Sequence, residues 1–130
     1  MPKLALDTSA YIAYVQNDTA VTKFVDRASS IGLPIIVIGE LYFGIFDGSK
    51  SEQNSQKLNR LLASPRVEIL NVDETSARIF GEISTELKKS GKPIQQNDVW
   101  IAALCKQYSY PLATSDKGFE RITGLELRLF

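Results

Sequence analysis

Short apolar stretches alternate with segments of helical periodicity along the whole chain, and this alternation restricts the possible folds more than any other feature. Between the stretches, apolar residues recur every three or four positions, which is typical of helices with one buried face. Strands that alternate with helices form crossover units, so we expect an α/β fold with a mostly parallel sheet and helices on both faces. The apolar stretches that predict strands are residues 4–6, 35–38, 67–72, 111–113 and 125–129.

Several helix ends are marked by capping residues. Asp7 follows the first predicted strand and is a good helix-starting residue, and Asp73 opens a long helix that ends before Gly91. Residues 49–56 lack an apolar face, so they form either a loop or the exposed start of the next helix. A chain of 130 residues buries roughly two thirds of its unfolded surface, and we expect a single domain over residues 1–130.

The absence of histidine removes several classes of catalytic and metal site. No Ser-His-Asp or Cys-His arrangement is available, and neither is a zinc site that mixes cysteine with histidine. Cys105 is the single cysteine, so no disulfide forms within the chain. Asp7 interrupts the apolar stretch after Met1, which argues against a signal peptide, and no apolar run approaches the roughly 20 residues of a membrane span. We therefore expect a cytoplasmic protein without a membrane segment.

Four acidic residues are predicted at the carboxyl ends of strands or the starts of helices, where ligands bind in open α/β sheets. Each alone has an ordinary explanation, because an acid in a first helical turn caps free N–H groups and offsets the helix dipole. Together they would repel one another unless a cation lay between them. Oxygen ligands without histidine or thiolate indicate Mg²⁺ or Mn²⁺. The four residues are Asp7, Glu40, Asp98 and Asp116.

The segments around these acids resemble, in order, the motifs of PIN-domain endoribonucleases, especially the VapC-type toxins of bacterial and archaeal toxin–antitoxin pairs. A single Asp-Thr-Ser is weak evidence, whereas four ordered motifs spanning nearly the whole chain are specific. They are residues 7–13 (DTSAYIA), 38–41 (IGEL), 97–103 (NDVWIAA) and 114–119 (TSDKGF).

This resemblance implies a three-layer α/β/α sandwich and a Mg²⁺- or Mn²⁺-dependent endoribonuclease that cuts RNA. It implies that Asp7 and Asp98 bind the first ion, that Glu40 orients or activates water, and that Asp116 binds a second ion or holds water. It also implies an antitoxin partner and a homodimer. The supporting polar residues would be Thr114, Ser9 and Asn97, the last two with ordinary capping as the alternative.

Two other functions fit the same residues. The chain is alternatively a non-catalytic module that binds RNA or protein, with the acids serving only as caps. It is alternatively a ribosome-associated RNA-processing nuclease that has no antitoxin. Neither the RNA target nor the number of ions follows from the sequence.

Basic and aromatic residues supply further candidates. Lys3, Arg66, Lys117 and Arg121 are the expected phosphate contacts, although acidic and basic residues balance at 15 each over the chain. Trp100 and Cys105 lie in an apolar helical segment and are expected in the core. Five aromatic residues follow the first two strands, and any exposed ones would form a partner groove: Tyr11, Tyr14, Tyr42, Phe43 and Phe46.

Overall fold

Within residues 2–130, which the structure, a computed structural model, describes, five strands alternate with six α-helices and one short 3₁₀ helix. The strands are β1 (Lys3–Leu6), β2 (Ser30–Pro34), β3 (Val67–Leu70), β4 (Leu112–Thr114) and β5 (Leu127–Leu129). The helices are α1 (Thr8–Val15), α2 (Thr19–Arg27), α3 (Ile35–Asp47), α4 (Ser51–Leu62), α5 (Glu74–Ser90) and α6 (Gln96–Tyr108), and the 3₁₀ helix is Lys117–Arg121.

The strands form one parallel sheet in the order β3-β2-β1-β4-β5. The chain winds outward from β1 through β2 to β3, and then crosses back to place β4 on the other side of β1. The topological switch point therefore lies between β1 and β4. Ligands of open α/β sheets bind outside the carboxyl ends of the strands at such a point. The α/β prediction is confirmed.

The helices cover both faces of the sheet, which gives the three-layer α/β/α arrangement. Successive side chains of a strand point to opposite faces. Accordingly Leu4 and Leu6 pack in the core cluster that holds Val21 and Val25 of α2, whereas Ala5 belongs to the cluster formed with α3, α5 and α6. No helix between residues 2 and 130 is both long and apolar enough to cross a membrane.

The second strand is the main difference from the prediction. Residues 35–38 are the first turn of α3, and β2 is the preceding segment Ser30–Pro34. Pro34 sits at the helix start, where its fixed φ and missing N–H are tolerated. Val37 and Ile38 pack into opposite core clusters, so this turn is buried on both sides. A helix buried all round lacks helical periodicity, which is why its sequence resembles a strand.

The caps of α1 and α5 lie where their residue types predict them, with Asp7 capping α1. Asp73 and Ser76 form a capping box at the start of α5, and Gly91 ends that helix with φ +68°. Residues 51–62 form α4, so the helical alternative for the polar segment is confirmed. The capping box and Gly91 thus mark the two ends of α5.

Candidate active site

The carboxyl ends of β1 and β4 meet at the switch point and bring two of the predicted acids together. Asp7 directly follows β1, and Asp116 lies two residues beyond the last residue of β4, Thr114. β1 and β4 are hydrogen-bonded neighbours, with Leu6 paired to Ala113. Sheet register therefore places residues that are more than 100 positions apart in the sequence at one edge.

Asp7 is the most constrained of the four acids. Its carboxyl group is 6% exposed and accepts three hydrogen bonds. Oδ1 accepts from Ser9 Oγ at 2.6 Å and from the Ala10 amide at 2.8 Å, which caps α1, and Oδ2 accepts from Thr114 Oγ1. Burial raises the pKa of Asp7 above its ordinary value, and the hydroxyl donors only partly offset that effect. The side chain is thus held in one orientation at the end of β1.

Ser9 and Thr114 join the two turns that carry Asp7 and Asp116. The fully buried Thr114 Oγ1 accepts from the Asp116 amide at 3.0 Å while it donates to Asp7. Ser9 Oγ accepts from the Ser115 amide at 3.1 Å while it also donates to Asp7. Each hydroxyl is therefore both donor and acceptor, and the two turns are held in a fixed relation.

Glu40 reaches the site from a helix and not from the end of a strand. Because residues 35–38 are helical, Glu40 is the sixth residue of α3, and the prediction that it directly follows the second strand is wrong. Its Oε1 accepts from Thr8 Oγ1 at 2.7 Å, and its Oε2 lies 3.5 Å from Asn97 Nδ2. Thr8 is not among the predicted site residues, although its place inside the first motif signals it.

Asp98 lies in the first turn of α6, where the charges of the other acids affect its pKa. The pKa of its half-buried carboxyl is raised from 3.8 to about 6. Burial is the largest cause, followed by the negative charges of Asp116, Glu40 and Asp7, in that order. The direction of these contributions is the one expected for like charges that lie near one another.

The donor set matches a hard divalent ion in chemistry, because it consists of carboxylate oxygens with no nitrogen or sulfur among them. As placed, no three acidic or cysteine side chains among residues 2–130 converge tightly enough to bind an ion. Like-charged carboxylates separate when no cation lies between them. Asp7 and Asp98 would be the residues that hold such an ion.

A cavity of about 560 Å³ opens beside these acids. Asp98, Asp116 and Arg121 line it together with residues 93–95. Of the four predicted phosphate contacts, Arg121 is the one that lines this cavity, and Lys117 is exposed nearby in the same 3₁₀ helix.

Lys3 and Arg66 lie at the amino ends of their strands, where their side chains contact other groups. The ammonium of Lys3 lies 5.0 Å from the centre of the Tyr110 ring. Arg66 donates to the carbonyl oxygens of Val25 and Ala28, at 2.9 and 2.7 Å. Both residues precede or begin their strands, whereas Asp7 and Asp116 follow theirs, so neither basic residue is placed beside the acids.

Cys105 lies in the core, as expected, whereas Trp100 is only partly buried and belongs to neither core cluster. Cys105 is 1% exposed, and burial raises the pKa of its thiol. The Trp100 ring stacks on Phe80 of α5 at a centroid distance of 4.1 Å. Neither side chain is placed to react with a ligand at the acid cluster.

Comparison with known proteins identifies the family. The PIN domain model matches residues 4–125. Ribonuclease VapC2 of Rickettsia felis is 35% identical over 102 residues, which cover 78% of this chain and 75% of that protein. Ribonuclease VapC5 of Mycobacterium tuberculosis is 29% identical over 122 residues, which cover 92% of this chain and 87% of that protein.

Solved structures show the same fold over nearly the full length. The crystal structure of VapBC2 from Rickettsia felis bound to a promoter DNA fragment contains a chain that superposes with a TM-score of 0.89 and 28% identity, covering 98% of both chains. The DNA-bound VapBC of Salmonella typhimurium gives 0.86 and 27% identity, again over 98% of both. With the family model matched over most of its length, this chain belongs to the PIN-domain family.

Proposed function

We propose that this chain is a divalent-metal-dependent endoribonuclease that acts as the toxin of a toxin–antitoxin pair. The observation that carries the proposal is geometric: Asp98 and Asp116 line one cavity, and Thr114 links Asp7 to the backbone of Asp116 at the switch point of the sheet. Glu40 lies at the same place, 3.5 Å from the side chain of Asn97. The ribonuclease names of the relatives support the reaction, and the VapBC complexes among the structural neighbours support the partner.

The chain's own residues supply binding and orientation for this reaction. Asp7 and Asp98 are the proposed direct ligands of Mg²⁺ or Mn²⁺, and Asp116 is the proposed ligand of a second ion or of water. Such an ion lowers the pKa of water and offsets the charge that develops on a phosphate during hydrolysis. Since the chain has no histidine, Glu40 is the proposed group that orients the attacking water, with Thr8 holding its carboxylate at 2.7 Å.

Ser9 and Thr114 act by positioning in this proposal. Their hydroxyls donate to opposite oxygens of Asp7 and so fix the plane of its carboxylate. Asn97 is the weakest supporting residue, since its amide nitrogen lies 3.5 Å from Glu40. Fixed orientation matters because a carboxylate that is free to rotate loses part of its contribution to the transition state.

The reaction is tested by incubating purified protein with single-stranded RNA in Mg²⁺ and in EDTA. We expect cleavage only with the metal, and loss of cleavage in Asp7→Asn while Asp26→Asn, an exposed acid on α2, retains it. Metal-independent cleavage, or full activity in Asp7→Asn, would contradict the proposal. Unchanged melting temperature in millimolar Mn²⁺ together with no cleavage would favour the non-catalytic binding module.

An exposed apolar surface supports an antitoxin partner. Phe43 and Phe46 of α3 are 74% and 69% exposed, and Ile12 and Val15 of the neighbouring α1 are 43% and 39% exposed. Exposed apolar clusters of this kind mark protein interfaces. Expression of the wild type should arrest growth, and co-expression of the protein encoded by a small adjacent upstream reading frame should relieve the arrest. Arrest that no neighbouring frame relieves would favour a nuclease without an antitoxin.

A homodimer is also proposed, on the basis of the resemblance to this family. Light scattering of the purified chain should give about twice the mass of 14.4 kDa, and a monomer at all concentrations would contradict it. The cytoplasmic location stays a prediction.

A further inference from the structure

Arg121 is a cation that borders the acid cluster without pairing with it. It lines the cavity that Asp98 and Asp116 also line. Among residues 2–130, the ion pairs are Arg78–Glu82 and Arg128–Glu126, so the Arg121 guanidinium lies within 4.0 Å of no carboxylate oxygen of that range. Arginine beside carboxylates ordinarily forms a forked pair with one of them.

A backbone carbonyl holds Arg121 in this position. Its Nη1 donates to the Pro93 oxygen at 3.0 Å, which links the 3₁₀ helix to the loop before α6. A neutral carbonyl leaves the positive charge unneutralised, and the bond uses one of the five N–H donors of the guanidinium. The remaining donors lie on an exposed side chain at the wall of the cavity.

We infer that Arg121 binds a phosphate of the RNA strand next to the phosphate that is cut. The inference rests on the proposed function, because the cut phosphate must lie at the acid cluster. The cavity volume of about 560 Å³ is that of an ordinary ligand site. A polyanion that enters an acidic site needs a cation along its path, and Arg121 is the cation that lines this one.

The test is binding of a fluorescein-labelled single-stranded RNA to the full chain in EDTA, measured by anisotropy between 50 and 200 mM salt. Arg121→Gln removes the charge and retains a donor for the Pro93 oxygen, and Arg121→Lys retains the charge. Arg27→Gln is the matched control, since it removes one arginine charge from an exposed position on α2 that does not line the cavity.

We expect Arg121→Gln to weaken binding by about 5- to 10-fold and to reduce the slope of log affinity against log salt by about 0.7, the value for one phosphate contact on a single strand. Arg121→Lys should fall between wild type and Arg121→Gln, and Arg27→Gln should change affinity by less than about twofold. Equal losses in Arg121→Gln and Arg27→Gln would overturn the inference, as would an unchanged affinity in Arg121→Gln.

A second measurement on the wild type avoids any folding defect of the variants. RNA should protect Arg121 from an arginine-specific reagent, read by mass spectrometry, while the exposed Arg27 of α2 stays reactive. An acidic peptide that protects Arg121 where RNA does not would assign the site to a protein partner and overturn the inference. Cleavage of RNA without protection of Arg121 would refute the role of Arg121 and leave the proposed function standing. A protein that neither cleaves nor binds RNA would refute the proposed function as well.

Discussion

Neutralising Asp98 should stabilise the metal-free protein, although the residue belongs to the proposed active site. Its folded pKa of about 6, against 3.8 for the free group, means that the ionised carboxylate destabilises the fold at neutral pH. This difference in pKa corresponds to about 3 kcal/mol in the free energy of unfolding. Solvent screening of a partly exposed group reduces that figure to about 1–2 kcal/mol. Asp98→Asn keeps the shape of the side chain and removes the charge. For a domain of this size, we expect the melting temperature in EDTA at pH 7.5 to rise by about 4–8 °C.

The pH dependence of the stability difference between Asp98→Asn and the wild type tests whether ionisation of Asp98 causes it. Between about pH 4 and 6, the folded wild type holds a proton on Asp98 that the unfolded chain has released, so this group lowers stability progressively as pH rises through that window. Below about pH 4 the group is protonated in both states, and the advantage of Asp98→Asn should vanish.

Thermal unfolding in EDTA from pH 4 to 8, followed by circular dichroism, measures both effects. Asp26→Asn is the control, because an exposed acid should change stability by less than about 0.5 kcal/mol. A lower melting temperature for Asp98→Asn at pH 7.5, or a gain that does not depend on pH, would show that the four carboxylates do not form one cluster.

Three further substitutions test two hydrogen bonds and the backbone conformation at one helix end. Thr114→Val should lower the free energy of unfolding by about 1–3 kcal/mol in urea denaturation, because buried Asp7 loses a donor, and Thr114→Ser should restore most of it. Thr8→Val should lower kcat by about tenfold in RNA cleavage without a lower melting temperature, whereas Thr8→Ser should stay within about threefold of wild type. Gly91→Ala should cost about 1 kcal/mol, because φ is +68° there, while Gly81→Ala, in an open helical position of α5, should be stabilising. Each role would be contradicted by one result: stabilisation by Gly91→Ala, loss of activity in Thr8→Ser, or unchanged stability in Thr114→Val.

Four of the five strands and most helices follow from the sequence because their signals are local. Asp73 and Gly91 cap α5 in the structure as their residue types predict. The first turn of α3 does not follow, since Val37 and Ile38 are buried on opposite sides and show no helical period. A helix with no exposed face in its first turn is distinguished from a strand only by its tertiary surroundings.

The candidate site shows the same division between local and long-range information. Asp7 and Asp116 are predictable, because both lie within two residues of the carboxyl end of a strand and parallel strands end at one edge. The hydrogen bond from Thr8 to Glu40 joins residues 32 positions apart and depends on how α1 packs beside α3, which no local pattern encodes. The position of Arg121 likewise depends on the Pro93 carbonyl, 28 residues away in the chain.

Anomalous diffraction from crystals grown in Mn²⁺ would locate the ion directly. We expect a peak at about 2.0–2.3 Å from carboxylate oxygens of Asp7 and Asp98, with Asp116 or Glu40 next to the ion or to its waters. The same peak should be absent from Asp98→Asn crystals. Peaks only at other places, or none in protein that cleaves RNA with Mn²⁺, would show that these carboxylates do not form the metal site of this chain.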